Sequence, residues 1–166
     1  ACFGGASVAI TLENVSQADY FRVGINQIDG AKCGVGWDCI NPNIIRIYRP
    51  ITQYCDTAFK ISSTGSPDSA TNVHIHGGNI YRNATVFDLQ ANIVKFVVDG
   101  VCHFEQFTDL VKLNRDTGAA DLQINSFAID NCEITASTGG YTSKLLNVSV
   151  PSVNDLIISN LRFTRN

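Results

Sequence analysis

The chain has 166 residues, a length sufficient for one domain with a sizeable core. Of these residues 45% are hydrophobic and only 16% are charged. Its net charge of −3, without any run of Lys or Arg, offers no electrostatic surface to nucleic acid or to an anionic membrane. No apolar run approaches the ~20 residues that span a bilayer. We therefore expect one folded domain that binds no nucleic acid and does not insert into a membrane.

The first residues, ACFGGAS, lack an initiator Met and the basic and apolar segments of a signal peptide. We interpret the chain as a processed product or a fragment of a longer protein. Its six cysteines show neither CxxC metal spacing nor the density of a disulfide scaffold. They therefore do not indicate whether the protein resides in an oxidising or a reducing compartment.

Six short segments along the chain share the apolar and polar alternation of a strand with one buried face. They are residues 9–14, 43–49, 73–76, 95–100, 126–131 and 155–160. Aligned, they place these apolar pairs on one face: Ile10 and Leu12, Ile45 and Ile47, Val73 and Ile75, Phe96 and Val98, Phe127 and Ile129, Leu156 and Ile158.

Each segment reaches a turn position two residues after its second apolar residue. The turn residues are Asn14, Arg49, Gly77, Gly100, Asn131 and Asn160. All except Arg49 are Asn or Gly, which tolerate left-handed backbone geometry. A second short apolar stretch follows, as in CEIT at 132–135. A further strand then recurs with its own apolar pairs: Phe21 and Val23, Phe59 and Ile61, Phe87 and Leu89, Val111 and Leu113, Leu146 and Val148.

The spacing between successive units varies from 23 to 35 residues while the order of features stays the same. Fixed apolar columns with variable insertions are typical of a solenoid, in which each coil buries its face against its neighbours. A helical fold is excluded because no segment keeps a 3.6-residue period and β-branched residues fill the columns. A β-sandwich is the remaining rival, since it also has short alternating strands.

The units FAIDNCEITAS (127–137) and LIISNLRFTRN (156–166) resemble coils of right-handed parallel β-helices, the fold of pectate lyases, polygalacturonases and bacteriophage tailspikes. The resemblance covers nearly the whole chain at the level of the coil pattern. It implies an all-β, single-stranded right-handed parallel β-helix of about six coils over residues 1–166. It does not identify a function, because this scaffold carries many chemistries.

The sequence lacks the NTD, DD, GHG and RIK motifs of polygalacturonases and the WxDH motif of pectate lyases. The resemblance therefore favours a segment of a bacteriophage tailspike or receptor-binding protein, which recognises or also cleaves a bacterial surface polysaccharide. It implies a virion-surface or extracellular location. It also implies a homotrimer, because trimeric spikes cover the coil ends that a solenoid otherwise leaves unpaired. The alternatives are a non-enzymatic secreted or surface β-helix, acting as adhesin or spacer, and a cellular polysaccharide lyase or hydrolase.

Residues 24–43 are predicted to be a Gly/Cys/Trp loop insertion, which carries the only Trp of the chain, Trp37. As a substrate-binding residue, Trp37 would stack on a sugar ring, because loops on a rigid scaffold often carry binding. In the alternative interpretation it covers the open side of a coil. Cys33 and Cys39 are either free or bridged.

If Val73 and Ile75 face inward, His74 and His76 must face outward, because side chains alternate along a strand. The alignment then predicts two outward columns. They are Thr11, Arg46, His74, Val97, Ala128 and Ile157, and, beside them, Glu13, Tyr48, His76, Asp99, Asp130 and Ser159.

These columns predict a glycan groove in which Arg46, Tyr48, His74 and His76 bind substrate. Asp99 and Asp130 are the candidate catalytic carboxylates. At about 5 Å they would suit a retaining glycosidase, and their repulsion would raise the pKa of one of them. The alternative is a solvated face on which polar residues happen to stack. We expect no cofactor and no metal, because a catalytic zinc site needs a third protein ligand and only Asp99 is near.

Overall fold

The computed structural model describes residues 7–26, 31–63, 71–113, 123–136, 144–148 and 152–165. Within these ranges every regular secondary-structure element is a β-strand. The strands are β1 (Val8–Glu13), β2 (Gln17–Phe21), β3 (Gly24–Ile25), β4 (Cys33–Ile40), β5 (Ile44–Tyr48), β6 (Ile51–Gln53), β7 (Cys55–Ser62), β8 (Thr71–Leu89), β9 (Ile93–Leu113), β10 (Gln123–Asp130), β11 (Glu133–Ala136), β12 (Lys144–Val148), β13 (Ser152–Ser159) and β14 (Arg162–Arg165). Among the described residues, none forms a helix of the length and apolarity that a membrane span requires.

Every pairing between described strands is parallel, and the pairings form three ladders. The first ladder contains β1, β4, β7, the ends of β8 and β9, and β12. The second contains β2, β5, the beginnings of β8 and β9, β10 and β13. The third contains β3, β6, the middle parts of β8 and β9, β11 and β14.

The chain passes through the first, second and third ladders in turn and then repeats the circuit one strand further along. This confirms the predicted parallel β-solenoid and excludes the β-sandwich, whose sheets are antiparallel. About four turns have a neighbouring turn on both sides. The predicted six coils are slightly more, because that number includes the terminal turns.

Stacked aromatic rings fill the interior of the solenoid. Trp37 lies over Phe59 with ring centroids 6.1 Å apart, and Phe59 lies over Phe87 at 5.4 Å. On the second ladder, Phe96 and Phe127 stack at 5.2 Å. Parallel strands in register lie about 4.8 Å apart, so equivalent side chains of successive turns pack on one another. The core is therefore a set of columns that run along the solenoid.

The inner columns predicted for the middle of the chain are confirmed. The buried members are Ile45, Ile47, Val73, Ile75, Phe96, Val98, Phe127 and Ile129, all at most 2% exposed. Ile158 pairs with Ile129 in the same column but is 39% exposed. No further turn covers it within the described part of the chain.

The sequence alignment assigned the first strand, β1, to the wrong ladder. Strand β1 pairs with β4, so Ile10 lies beside Trp37 and belongs to the first ladder rather than beside Ile45. Strand β2 takes the predicted place of β1, with Tyr20 beside Ile47. Phe21, predicted to face inward, is 68% exposed. The alternation is the same on each ladder, so it does not tell which ladder a strand joins.

The segment 24–43 is not a loop insertion in its described parts, because β3 and β4 are regular strands of the solenoid. Residues 27–30 lie outside the described residues. Cys33 and Cys39 are both free thiols. Cys33 lies beside Cys55 on the neighbouring strand, and Cys39 lies between Leu12 and Ile61.

The corner between the second and third ladders uses left-handed backbone geometry at every described turn. The residues there have φ between 50° and 72°: Arg22, Arg49, Gly77, Gly100, Asn131 and Asn160. Arg49, the exception in the sequence pattern, therefore adopts the predicted geometry. Asn14 instead forms the corner between the first and second ladders, where Asn41 donates to its side chain at 3.1 Å.

Candidate functional site

Strand β8 presents His74 and His76 on the outer face of the second ladder. Val73 and Ile75, which alternate with them, are at most 2% exposed, so the two imidazoles must point outward. The side chains are 35% and 47% exposed. This confirms the predicted orientation of both histidines.

Asp99 lies on β9 directly beside His76 in the strand register. One of its carboxylate oxygens, Oδ1, is 2.6 Å from Nδ1 of His76 and 3.0 Å from Nε2 of His74. The two imidazoles therefore converge on a single oxygen atom. We call His74, His76 and Asp99 the His–Asp cluster.

Partial burial raises the pKa of Asp99, but the hydrogen bonds and charge of His74 and His76 outweigh it and leave the pKa below its ordinary value. The carboxyl group is therefore ionised at neutral pH. Its negative charge favours cations at this position on the surface.

Asp130 follows on the next turn, one residue after Ile129, which pairs with Val98. Ser159 and Asn160 donate to its Oδ1, each at 2.7 Å. These hydrogen bonds hold the pKa of Asp130 below its ordinary value, although the charge of Asp99 acts in the opposite direction. The expectation that repulsion raises one of the two pKa values is therefore wrong, because each carboxylate has its own donors.

Tyr48 lies beside His76 on the neighbouring turn, as predicted. Its ring centroid is 6.0 Å from that of His76 and 6.5 Å from that of His74. On its other side it stacks on Phe21 at 4.7 Å with an interplanar angle of 7°. Glu13, predicted in this place, instead pairs with Ile40 on the first ladder.

Arg46 lies beside His74, and on its other side it faces Asp19 rather than the predicted Thr11. Its guanidinium group is 3.3 Å from the Asp19 carboxylate, and both side chains are about two-fifths exposed, at 37% and 41%. An ion pair this exposed contributes roughly 0–1 kcal/mol to stability. Its guanidinium therefore remains available to a ligand.

The sequence interpretation missed Asp19 and Phe21. Both lie on β2, in which Ala18 and Tyr20 pair with Ile45 and Ile47 and alternate with Asp19 and Phe21. The signal was the constant offset of 27 residues between the two strands, as in the Asp19 and Arg46 pair. It was obscured because β1 shows the same alternation more strongly.

We call the exposed set of Asp19, Phe21, Arg46, Tyr48 and the His–Asp cluster the outer sheet site. Two open depressions adjoin it. One, of about 330 Å³, includes Arg46, His74, Lys95 and Asp99 in its lining. The other, of about 340 Å³, is lined by Phe21, Arg22, Tyr48, Arg49 and His76.

Trp37 is not part of this surface. It is 0% exposed and packs between Tyr20 and Phe59 in the core. Its indole cannot reach a ligand at the outer face, so its predicted role in substrate binding is wrong. An inward position on β4 dictates this burial.

The comparisons with known proteins add no family to these observations. No protein-family model, no curated protein and no solved structure matches the chain.

Proposed function

We propose that the outer sheet site binds a polysaccharide, and that its ligand is a bacterial surface polysaccharide, as the resemblance to tailspikes implies. The observation that carries the proposal is the continuous outward row Phe21, Tyr48, His76 and Asp99, which runs across successive turns. A row of this kind matches a chain ligand, because both extend through repeated units.

The chemistry of the row suits sugars. Phe21 and Tyr48 offer apolar ring surface next to polar groups, which the apolar face of a pyranose ring can cover. Arg46 supplies donors for hydroxyl or carboxylate groups, and Asp99 supplies an acceptor. The two depressions add concave surface next to these groups, as ligand sites require.

Recognition is favoured over retaining hydrolysis at Asp99 and Asp130. A retaining glycosidase needs one carboxyl group of raised pKa as the general acid. Here the pKa values of both groups lie below the ordinary value. The proposal is therefore a binding surface.

The tailspike resemblance extends the proposal to a homotrimer at a virion or extracellular surface. Sedimentation at micromolar concentration tests this assembly. A trimer supports it, and a monomer of 18.0 kDa contradicts it.

The binding proposal is tested on an array of bacterial capsular and O-antigen polysaccharides, with plant pectins as comparison glycans. Replacing Tyr48 with Ala should abolish detectable binding to the glycan that the wild type selects. Phe163→Ala is the matched control, because Phe163 is also an exposed aromatic, at 63%, but lies on β14 of the third ladder. Equal binding by wild type and Tyr48→Ala contradicts the proposal, as does selection of pectins alone.

A further inference from the structure

We propose that the His–Asp cluster is a binding site for a single divalent transition-metal ion of the Zn²⁺ type. The ligand atoms are one nitrogen from each imidazole of His74 and His76 and a carboxylate oxygen of Asp99. The proposal does not rest on polysaccharide binding. It departs from the sequence expectation of no metal, in which Asp99 was the only candidate for a third ligand near the two histidines.

The distances within the cluster fit a shared ion. One potential ligand atom from each of the three residues lies within 4.8 Å of the others. The oxygen to nitrogen distances are 2.6 Å and 3.0 Å. A tetrahedral zinc ion with bonds of about 2.0–2.1 Å separates its ligand atoms by roughly 3.3 Å. An ion would therefore lengthen these two oxygen to nitrogen distances by roughly 0.7 Å and 0.3 Å.

Strand alternation and strand register together account for the positions of the three side chains. Residues 74 and 76 lie two apart on one strand, so they share its outer face. Strand register adds Asp99 from the next turn. Beneath them, Val73, Ile75 and Val98 anchor the two strands in the core. The backbone positions of the ligands are thus fixed by packing that a metal ion does not need to create.

The donor set indicates the class of ion. Two imidazoles with one carboxylate favour zinc, iron, cobalt, nickel or copper, whereas magnesium and calcium prefer oxygen ligands. The side chains of the cluster are 33–47% exposed, so the outward side of the ion remains open to solvent. Three protein ligands with an open position are typical of zinc sites that bind a water or a substrate group.

The cluster also has the charge that such an ion requires. A carboxylate ligand, here Asp99, compensates part of the double positive charge of the ion. In the metal complex the imidazole nitrogen that faces Asp99 would carry no proton, and the other ring nitrogen would carry it, because only a lone pair can bind the ion.

The test is a titration of the chelator-treated full chain with Co²⁺, followed by its visible absorption, with Zn²⁺ added as competitor. No glycan is present. We expect a ligand-field band that saturates at one Co²⁺ per chain and that Zn²⁺ removes. The absence of a saturable band at one equivalent would overturn the proposal.

Matched variants assign the ligands. Asp99→Asn, His74→Ala and His76→Ala should each weaken Co²⁺ binding by at least about tenfold. Two controls should bind as the wild type does. Asp130→Asn changes a carboxylate of this face that lies outside the cluster, and His103→Ala removes the third histidine, which bonds to Thr135 at 2.8 Å. Equal loss in the controls would overturn the assignment.

Imidazole NMR of the unmodified chain provides a readout that does not depend on the folding of variants. Zn²⁺ should shift the ring signals of two of the three histidines and leave the signals of His103 in place. Shifts of His103 alone, or of none, would contradict the site. Tyr48→Ala should retain Co²⁺ binding, so failure of the polysaccharide proposal and failure of the metal proposal remain distinguishable.

Discussion

The imidazole of His76 packs directly over the α-carbon of Gly100. A Cβ at residue 100 would lie 2.4 Å from Cε1 and 2.6 Å from Nδ1 of the His76 ring. Gly100 also has φ of +72°, which side-chain-bearing residues rarely adopt. Gly100 therefore adopts the left-handed geometry of the corner and leaves space for the imidazole of His76.

Replacing Gly100 with Ala should displace the His76 ring and break its contact with Asp99. The backbone strain should lower the free energy of unfolding by about 1–2 kcal/mol. Gly77→Ala is the control, since it shares a positive φ of +65° but its Cβ would meet the carbonyl of Gly100 instead. Imidazole NMR should show a shifted His76 only in Gly100→Ala. An unchanged His76 signal in that variant contradicts this packing.

A charged residue in the inner column of the second ladder should destabilise the fold. Ile129, 1% exposed, lies between Val98 and Ile158 on the adjacent turns, so Ile129→Asp would bury a carboxylate without a partner. We expect a loss of several kcal/mol in urea unfolding. Ala128→Asp, one residue away on the outer face, should change stability little. Similar unfolding midpoints for the two variants would show that the assigned inner face is wrong.

Trp37 should contribute to stability and not to ligand binding. Trp37→Ala leaves a large cavity beside Tyr20 and Phe59 and should cost about 3–5 kcal/mol, measured by chemical denaturation. Trp37→Phe, which keeps an aromatic ring, should cost less. Glycan binding by the folded Trp37→Phe protein should equal that of the wild type. Selective loss of binding in this variant would restore Trp37 as a ligand-contacting residue.

Alkaline pH should destabilise the fold through buried thiols. Burial, with a contribution from the charge of Asp38, raises the pKa of Cys39 from 9.0 to about 12. The unfolded chain then loses this proton at lower pH than the folded chain does. The contribution of this thiol to stability should be constant below pH 9 and should fall between pH 9 and 12, by roughly 1.4 kcal/mol per pH unit.

The control for the thiol is Cys39→Val, which keeps an apolar side chain of similar size between Leu12 and Ile61. Urea unfolding at several pH values from 8 to 11 should give a shallower loss for this variant. The difference between the two proteins isolates Cys39, because other titrating groups are common to both. Parallel curves for wild type and Cys39→Val would disprove the assignment.

The local sequence pattern is sufficient to predict which residues face inward on most strands and where the chain turns. The inward position of Ile75, the outward position of His76 and the turn at Gly77 follow from a local rule. Side chains alternate along a strand, and a left-handed corner favours Gly or Asn. These features need no knowledge of the neighbouring turn, so a pattern of a few residues is sufficient to predict them.

The local pattern does not predict which strand lies beside which, because that depends on how successive turns pack. Turn lengths vary, and the alternation of β1 is the same as that of β2, so local pattern cannot choose between Glu13 and Phe21 as the neighbour of Tyr48. Phe21 is that neighbour, because β2 pairs with β5. The two imidazoles reach one oxygen of Asp99 because β9 packs beside β8 on the next turn, which local pattern cannot show.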